Sequence, residues 1–332
     1  MSDYYRPLVQ HGPARPDGAL PLTGGALWFT HAELLSRDAA PRMVSADAIP
    51  GDVRDRLTAP RAPIGGLDIA QPQIMGILNI TPDSFSDGGR HDTVENARAA
   101  ATEMAAHGAT ILDIGGESTR PGADFIPEAQ EIVRTVPVIE AIRAETDTLI
   151  SIDTRKAAVA RAALAAGAGL VNDVSGFTFD PAMAPLCAEA QVPVCVMHMQ
   201  GDPATMQDNP EYENVLLDVY DFLAGQIAGL EALGLTRAQI VVDPGIGFGK
   251  TEDHNLTLLR NLSLFHGLGC PILLGVSRKG FIGRIGQAPR ADARAPGSIA
   301  VALAGLAQGV QIVRVHDVAQ TAQALRLWSA VR

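Results

Sequence analysis

Polar and charged side chains follow short apolar runs at many points along this 332-residue sequence. They are Asn79, Asp113, Glu117, Asp153, Asn172, Asp173, His198, Asp243, Ser277, Arg278, Lys279, Arg314 and His316. Within the set, Asp153 and Asp243 offer acceptors, and Asn172 offers both a donor and an acceptor. Such groups suit a planar heterocycle that carries an amino group and ring N–H groups. The alternative is a set of ordinary loop caps, since Asp153 could cap a helix that begins near Arg155.

Cationic side chains accompany this set and indicate a second ligand group. Arg120, Lys279, Arg314 and His316 are expected at the same place. His316 and Asp317 also open the last predicted helix, and a helix N-terminus attracts phosphate. We therefore predict an anion site here. The alternative is a salt-bridged rim, in which Lys279 and Arg314 neutralise buried carboxylates.

The elements that must position these side chains alternate regularly. Eight apolar runs, suited to strands buried on both faces, cover residues 74–80, 110–114, 149–153, 169–172, 192–197, 240–243, 272–275 and 312–315. Helical patterns follow them near residues 94–107, 128–145, 155–167, 181–190, 211–235, 253–262, 298–308 and 318–331. Eight such units predict an α/β fold of the (βα)8 TIM-barrel type, whose active sites lie at the carboxyl ends of the strands. A doubly wound sheet is the alternative, but its nucleotide-binding fingerprint is missing.

The first 72 residues differ from the rest and hold 9 of the 22 prolines. They contain two short apolar stretches, 26–30 and 64–69, and a pattern that fits a helical turn over 32–37. Because Trp28 and Phe29 need burial, we expect a short Pro-rich appendage, of unknown role, that packs on the barrel. The predicted division is residues 1–72 for this appendage and 73–332 for the barrel.

Composition limits the classes of function. Hydrophobic residues make up 47% and charged residues 19%, which argues against disorder, and the net charge of −11 gives no reason to expect nucleic acid as a partner. No apolar run approaches the length of a membrane span, and no signal pattern opens the chain. Cys187, Cys195 and Cys270 have no metal-ligand spacing and fit buried thiols in a reduced, cytoplasmic setting. His107, His254 and His266 are expected at the surface or at helix caps.

Seven ordered motifs resemble the signatures of the dihydropteroate synthase family. They are ILNITPDSFSDGG (77–89), LDIGGESTRPG (112–122), ISIDT (150–154), VNDVSG (171–176), DPGIGFGK (243–250), GVSRK (275–279) and IVRVHD (312–317), within roughly residues 73–330. The family has a TIM barrel and is usually homodimeric. It joins 6-hydroxymethyl-7,8-dihydropterin diphosphate to p-aminobenzoate and so gives 7,8-dihydropteroate and diphosphate. The resemblance implies the same fold, substrates and reaction here.

The resemblance also implies roles for individual residues. The pterin would contact Asp153, Asn172, Met197, Asp243, Lys279 and Arg314. The diphosphate would contact Asn79, Thr119, Arg120, Arg314 and His316, and Asn79 would also contact the cofactor Mg²⁺. The p-aminobenzoate pocket, where sulfonamides would compete, would include Phe85, Phe248 and Ser277. Catalysis would depend on Lys279, Arg314, Asp153 and Asp243, with no general base assigned.

Two other functions share the pterin-binding residues. A methyltransferase that passes a methyl group from a methylfolate to a corrinoid protein would not need the first two motifs or the residues of 277–279 and 314–316. A paralogue that binds pterin without turnover would be expected to lose Lys279, Arg314, His316 or Asn79, and all four are present. Asp83 could either join the metal site or stabilise a loop.

Overall fold

The computed structural model describes residues 3–80, 90–118, 125–202 and 205–331. Its first elements are β1 (Tyr4–Pro7), β2 (Leu20–Pro21), β3 (Trp28–Phe29), β4 (His31–Leu35), β5 (Arg42–Ser45) and α1 (Gly51–Thr58). Strands β1, β4 and β5 form one antiparallel sheet, and β2 pairs with β3. The helical turn predicted over 32–37 is wrong. That segment is β4, because its backbone pairs with β1 on one side and β5 on the other.

Eight parallel strands form the centre of the molecule, as predicted. They are β6 (Gln73–Asn79), β7 (Ile111–Gly115), β8 (Leu149–Asp153), β9 (Leu170–Asp173), β10 (Val194–Met197), β11 (Ile240–Asp243), β12 (Leu273–Leu274) and β13 (Ile312–Val315). Neighbours in the chain pair from β6 to β11, β12 pairs with β13, and β13 also pairs with β6. A parallel bridge from Val242 to Ile272 joins β11 to the strand edge before β12. The TIM barrel is thus confirmed.

Helices cover the outside of the barrel. They are α2 (Arg90–Ala106), α3 (Glu128–Arg143), α4 (Ala157–Ala165), α5 (Met183–Ala190), α6 (Val215–Ala232), α7 (Glu252–Arg260), α8 (Gly280–Ile285), α9 (Ala295–Ala307) and α10 (Val318–Val331). All eight predicted helical segments are confirmed within a few residues, and the short α8 is additional. Local signals fix some of the starts: the Asn214 side chain accepts from the Leu217 N–H at α6, and Thr251 and His254 form a capping box at α7.

The N-terminal segment packs against the side of the barrel. The Tyr4 hydroxyl donates to the Asp221 carboxylate at 2.8 Å, and the Ser263 hydroxyl donates to the Pro7 carbonyl at 2.9 Å. Trp28 and Phe29 are buried, as expected. The division at residue 72 nevertheless stays a prediction, because Ile64 and Ile69 also belong to the barrel's own floor.

That floor lies at the amino ends of the strands. Ile64 and Ile69 pack there with the first inward-facing side chains of the barrel, which are Met75, Ile111, Leu149, Leu170, Cys195, Val241, Leu273 and Ile312. The floor is therefore closed by residues that precede β6. The polar ends of the strands lie at the opposite mouth.

The structure also tests the predictions for three histidines and three cysteines. His254 caps α7 and His107 is exposed, as predicted. The prediction for His266 is wrong, because its side chain is fully buried and its backbone carbonyl accepts a hydrogen bond from the Arg61 guanidinium. Burial lowers the pKa of His266 to about 3. The three cysteines are buried free thiols. Within the described ranges no helix is long and apolar enough to cross a membrane.

Candidate active site

A cavity of about 650 Å³ opens at the carboxyl ends of the strands. Every predicted site residue in the described part of the chain lines it: Asn79, Asp153, Asn172, Met197, Asp243, Phe248, Ser277, Lys279, Arg314 and His316. The predicted Phe85, Thr119 and Arg120 lie outside the described residues, as does Asp83. Of the polar residues predicted at the strand ends, all but Asp113, Asp173 and His198 line this cavity. Asp173 instead accepts from the Ser175 hydroxyl at 2.6 Å.

Arg314 forms the centre of the charge arrangement. It projects from β13, and its Nε contacts the Asp113 carboxylate at 2.5 Å while its Nη2 contacts the Asp153 carboxylate at 2.6 Å. The Asn172 amide donates to Asp113 at 3.2 Å. Burial disfavours the guanidinium charge, but the two carboxylates raise the pKa of Arg314 above its ordinary value. Burial, together with the nearby Asp113 charge, raises the pKa of Asp153 despite the attraction of Arg314.

The structure rejects the role of a helix cap for Asp153. Helix α4 begins at Ala157, whose N–H donates to the Asp180 carboxylate at 2.8 Å. Asp153 instead lines the cavity at the end of β8. Its carboxylate is thus held inside the site by Arg314 and not by the helix that follows.

Asp243 and Lys279 occupy the other side of the cavity. The Asp243 carboxylate accepts from the Gly245 N–H at 2.7 Å. The Lys279 ammonium donates to the Ile246 carbonyl and lies 4.6 Å from the centre of the Phe248 ring. Burial lowers the pKa of Lys279 to about 8, although Asp243 favours the charged form. Of the two cations proposed to neutralise carboxylates, Arg314 does so by direct contact and Lys279 donates to backbone.

Ser277 and His316 meet across the mouth. The His316 N–H donates to the Ser277 hydroxyl oxygen at 3.1 Å, and His316 Nδ1 lies 2.9 Å from the same oxygen. His316 lies two residues before the start of α10, so this predicted diphosphate-binding residue is close to a helix N-terminus.

A buried lysine under the cavity was not singled out from the sequence. Lys250 is 2% exposed, and its ammonium nitrogen lies 2.8 Å from His198 Nδ1 and 3.0 Å from the Phe248 carbonyl. Burial and the nearby Lys279 charge lower the pKa of Lys250 well below its ordinary value, and burial lowers the pKa of His198 to about 2. The only signal was a lysine at the end of a glycine-rich run.

Two glycines of that run are required by close backbone contacts. A Cβ on Gly245 would lie 1.8 Å from the His198 carbonyl oxygen, and one on Gly249 would lie 2.3 Å from the Gln200 carbonyl oxygen. Both residues also have positive φ, of 67° and 60°. The loop from Asp243 to Lys250 therefore lies directly on the chain that follows β10.

A second buried charge network supports the mouth beside β7 and β8. Lys156 contacts the Glu131 carboxylate at 2.6 Å and the Glu117 carboxylate at 3.1 Å, and Arg155 contacts Glu117 at 3.1 Å. Both peptide groups of Ile126 bind to it, since its N–H donates to Glu117 and its carbonyl accepts from Lys156. The sequence placed Glu117 at the rim, but it gave no indication of this pairing across 38 residues.

Oxygen ligands for a metal are few in the described residues. No group of three or more His, Cys, Asp or Glu side chains there could hold an ion by itself. Asn79 lines the cavity at the end of β6 and offers one amide oxygen. This arrangement fits a hard cation such as Mg²⁺ that is held largely by a substrate's phosphate oxygens.

The pterin-binding enzyme family matches residues 75–316 of the chain. A dihydropteroate synthase of Haemophilus influenzae is 47% identical over 264 residues, which cover 80% of this chain and 95% of that protein. A solved dihydropteroate synthase of Xanthomonas albilineans with 4-aminobenzoic acid has a TM-score of 0.77 and 44% identity, and the match covers 82% of this chain and 98% of the other. A Yersinia pestis dihydropteroate synthase in a sulfonamide drug complex has a TM-score of 0.76 and 44% identity, with 80% and 96% covered.

The barrel and the charged cavity at its carboxyl end define an enzyme of the TIM-barrel class. The family model matches most of the chain, and these relatives are more than 40% identical to it, so the family itself can be stated. The chain belongs to the pterin-binding enzyme family and, within it, to the dihydropteroate synthases.

Proposed function

We propose that the protein condenses 6-hydroxymethyl-7,8-dihydropterin diphosphate with p-aminobenzoate to give 7,8-dihydropteroate and diphosphate. The observation that carries this proposal is Arg314, held between Asp113 and Asp153 in a cavity that Asn172, Asp243 and Lys279 also line. The same cavity thus offers acceptors for a pterin's N–H groups and cations for a diphosphate.

The pterin binds among side chains from β8, β9, β11 and the loop after β12. Asp153, Asn172 and Asp243 accept from its amino and ring N–H groups, and Lys279 donates to its acceptors. Because these carboxylates are buried and already hydrogen-bonded within the protein, they are fixed before the substrate arrives. Such preorganisation reduces the entropy cost of ordering the ring.

The reaction needs no protein nucleophile. The bond between the pterin's methylene carbon and the diphosphate oxygen breaks, and its electron pair leaves with the diphosphate. Arg314 and His316, with Thr119 and Arg120 of the adjoining motif, stabilise that departing charge. Asp153 and Asp243 stabilise the positive charge left on the pterin. The p-aminobenzoate nitrogen then donates its lone pair to the carbon and releases one proton.

The second substrate binds beside the methylene carbon. Phe248 and Ser277 line the cavity, and the Phe248 ring is held against the Lys279 ammonium. With Phe85, they form the p-aminobenzoate pocket, where sulfonamides compete. The relatives solved with 4-aminobenzoic acid and with a sulfonamide drug support this part of the proposal.

Mg²⁺ completes the anion site in this proposal. Asn79 and the substrate's phosphate oxygens would hold the ion, which would neutralise charge on the diphosphate. A homodimer in the cytoplasm also belongs to the proposal, and the exposed Leu327 and Val331 of α10 offer apolar surface for the dimer. Light scattering on the purified protein tests the dimer.

The deciding experiment is diphosphate release by the purified protein with dihydropterin diphosphate and Mg²⁺, with and without p-aminobenzoate. We expect release that depends on p-aminobenzoate and matches dihydropteroate formed. Release without condensed product would overturn the assignment of the second pocket. No release, with binding of a methylfolate, would overturn the reaction in favour of methyl transfer.

A further inference from the structure

Arg278 has an unusual backbone conformation between two residues of the cavity. Arg278 lines the cavity together with its neighbours Ser277 and Lys279, and it has φ of +58°, in the left-handed region that residues other than glycine rarely adopt. A residue in this conformation persists only where its surroundings hold it. The neighbouring side chains therefore depend on whatever fixes Arg278.

Both peptide groups of Arg278 are fixed by side chains at the start of α9. The Arg278 N–H donates to the Ser298 hydroxyl oxygen at 2.8 Å, and the Arg278 carbonyl accepts from Arg294 at 3.0 Å. The Ser298 hydroxyl in turn donates to the Arg294 carbonyl at 2.8 Å. The left-handed turn after β12 is thus held at both of its peptide bonds.

The Arg278 side chain reaches the next loop of the mouth. Its Nε and Nη2 contact the two oxygens of Asp317 at 3.0 and 2.5 Å, a bidentate pair in which Asp317 is 10% exposed. Hydrogen bonding to Asp317 raises the pKa of Arg278. Asp317 directly follows His316, which contacts the Ser277 hydroxyl. Arg278, Asp317, His316 and Ser277 therefore form a closed ring of contacts that joins the loops after β12 and β13.

We propose that the Arg278–Asp317 pair is a positioning clamp that sets Ser277 and Lys279 at the correct distance from Arg314 and His316. The clamp acts through the contact between Arg278 and Asp317, although Arg278 also lines the cavity. The two loops carry the second-substrate side and the anion side of the site, and a small shift between them misaligns the reacting groups. This inference rests on the proposed function for its kinetic readout.

The test is a double-variant cycle of Arg278→Lys and Asp317→Asn in the full chain. Lysine keeps the charge but cannot make the bidentate contact. We expect each single variant to lose roughly tenfold or more in kcat/KM for p-aminobenzoate. The kcat/KM of the double variant should be no more than about twofold below that of the less active single variant, because both changes break the same contact. The melting temperature should move by less than about 4 °C, since a partly exposed pair contributes little stability.

Arg237→Lys is the matched control. Arg237 makes a similar bidentate pair with Glu231, at 3.0 and 2.8 Å, and donates to the Leu268 carbonyl, away from the mouth. It should leave the kinetics unchanged. Wild-type kinetics in Arg278→Lys and Asp317→Asn, fully multiplicative losses in the double variant, or an equal loss in Arg237→Lys would each overturn the clamp.

Two further measurements test the clamp, and the second of them does so even if the proposed function fails. Arg278→Gly relieves the left-handed backbone while removing the side chain, so wild-type kinetics in this variant would also overturn the clamp. If the wild type forms no dihydropteroate, the proposed function fails, and the clamp is judged on binding of inorganic pyrophosphate with Mg²⁺ by calorimetry. Arg278→Lys should then bind at least roughly fivefold more weakly than Arg237→Lys. Equal binding would overturn it.

Discussion

Arg314 is the cation on which two carboxylates of the site depend. Its guanidinium bridges Asp113 of β7 and Asp153 of β8, which pair as neighbouring strands. Without it, two buried carboxylates would remain, and among the described residues only Asn172 would donate to Asp113. The residue thus has a structural role as well as the proposed catalytic one, and the two roles can be measured separately.

Replacing Arg314 with methionine should abolish most turnover and destabilise the fold at neutral pH. We expect a loss of roughly 100-fold or more in kcat, because the proposed function assigns Arg314 to the leaving diphosphate. Breaking a buried pair costs about 3–5 kcal/mol, and here two carboxylates lose their partner. Steady-state kinetics and urea unfolding at pH 7 check both expectations.

The stability loss in Arg314→Met should shrink at lower pH. Burial already raises the pKa of Asp153 and Arg314 opposes that rise, so without Arg314 the native state binds more protons there and gains stability relative to the unfolded chain as the pH falls. Urea unfolding at pH 5.5 should therefore recover part of the loss. The control is Arg37→Met, which breaks a pair with Asp218 and Asp221 far from the cavity. A similar loss of turnover there would contradict the specific role of Arg314.

Lys279 should give the enzyme an alkaline limit near its own pKa. The pKa of Lys279 is lowered from 10.5 to about 8, chiefly by burial. In the proposed function the charged form donates to the pterin, so kcat/KM should fall as the pH rises through about 8. The pH profile of kcat/KM measures this directly.

The contribution of Lys279 to the free energy of unfolding should rise with pH, whereas kcat/KM falls. Between pH 8 and 10.5 the unfolded chain keeps the proton that native Lys279 has lost, so its contribution makes stability rise with pH. Lys279→Arg stays charged throughout and should remove both effects. An alkaline limit that persists unchanged in Lys279→Arg would assign it to another group.

At this scale the sequence predicts which residues reach the mouth but not how they pair. Asp113, Asp153 and Arg314 are each predicted at a strand end, because the alternation of strands and helices sends every strand end to one mouth. The contact between Arg314 and Asp113 joins residues 201 positions apart. It depends on β13 lying beside β6 and near β7, which is known only once the barrel closes.

The loop after β11 shows how an element can limit the site. Gly245 has a positive φ and lies against the His198 carbonyl, so its backbone path has no room for a side chain. The loop carries Asp243, Phe248 and Lys250 into the cavity. A shift of this loop would therefore move both Asp243, which is assigned to the pterin, and Phe248, which is assigned to p-aminobenzoate.

Gly245→Ala should shift this loop and reduce activity as well as stability. Alanine at positive φ costs about 1–2 kcal/mol, and the clash with the His198 carbonyl oxygen adds to that cost. We expect a total of about 3 kcal/mol or more and at least roughly a tenfold fall in kcat/KM. Chemical unfolding and steady-state kinetics provide the two readouts.

Gly234→Ala is the matched control for that substitution. Gly234 also has a positive φ, of 100°, but a Cβ there would meet nothing within 4 Å. It should show only the backbone cost and wild-type kinetics. Equal effects at the two glycines would show that the close approach to His198 does not matter.

Elements buried on both faces are the ones that sequence patterns predict well. The bounds predicted for β8, β11 and β13 agree with the structure, because an uninterrupted apolar run has few other interpretations. The antiparallel strands β1, β4 and β5 have four to five residues each, and Met43 of β5 is exposed. Their pairing partners, rather than their own patterns, decide their conformation.

On the scale of the whole molecule, the N-terminal segment and the active site occupy different ends. Ile64 and Ile69 close the floor at the amino ends of the strands, whereas the cavity opens at the carboxyl ends. Residues before 60 cover the side of the barrel, where Tyr4 packs edge-on against Tyr220. The 3₁₀ segment Leu262–Leu268 is fully buried there. The segment is thus placed to affect folding without touching substrate.

Two truncations should therefore lower stability while leaving the chemistry of folded molecules intact. Deleting residues 1–60 uncovers Leu264 and Phe265, which are fully buried in the whole chain, but it keeps Ile64 and Ile69 on the floor. At about 25 cal/mol per Å² of apolar surface, losing this cover should lower the melting temperature by about 10 °C or more. Deleting residues 1–72 also opens the floor of the barrel and should lower the melting temperature further or cause aggregation. For each soluble variant, kcat per active site should stay within about twofold of the wild type, because none of residues 3–72 lines the cavity. Titration with a tight-binding pterin counts the active sites. A large fall in kcat at full site occupancy would show that the floor and the mouth are coupled through the strands.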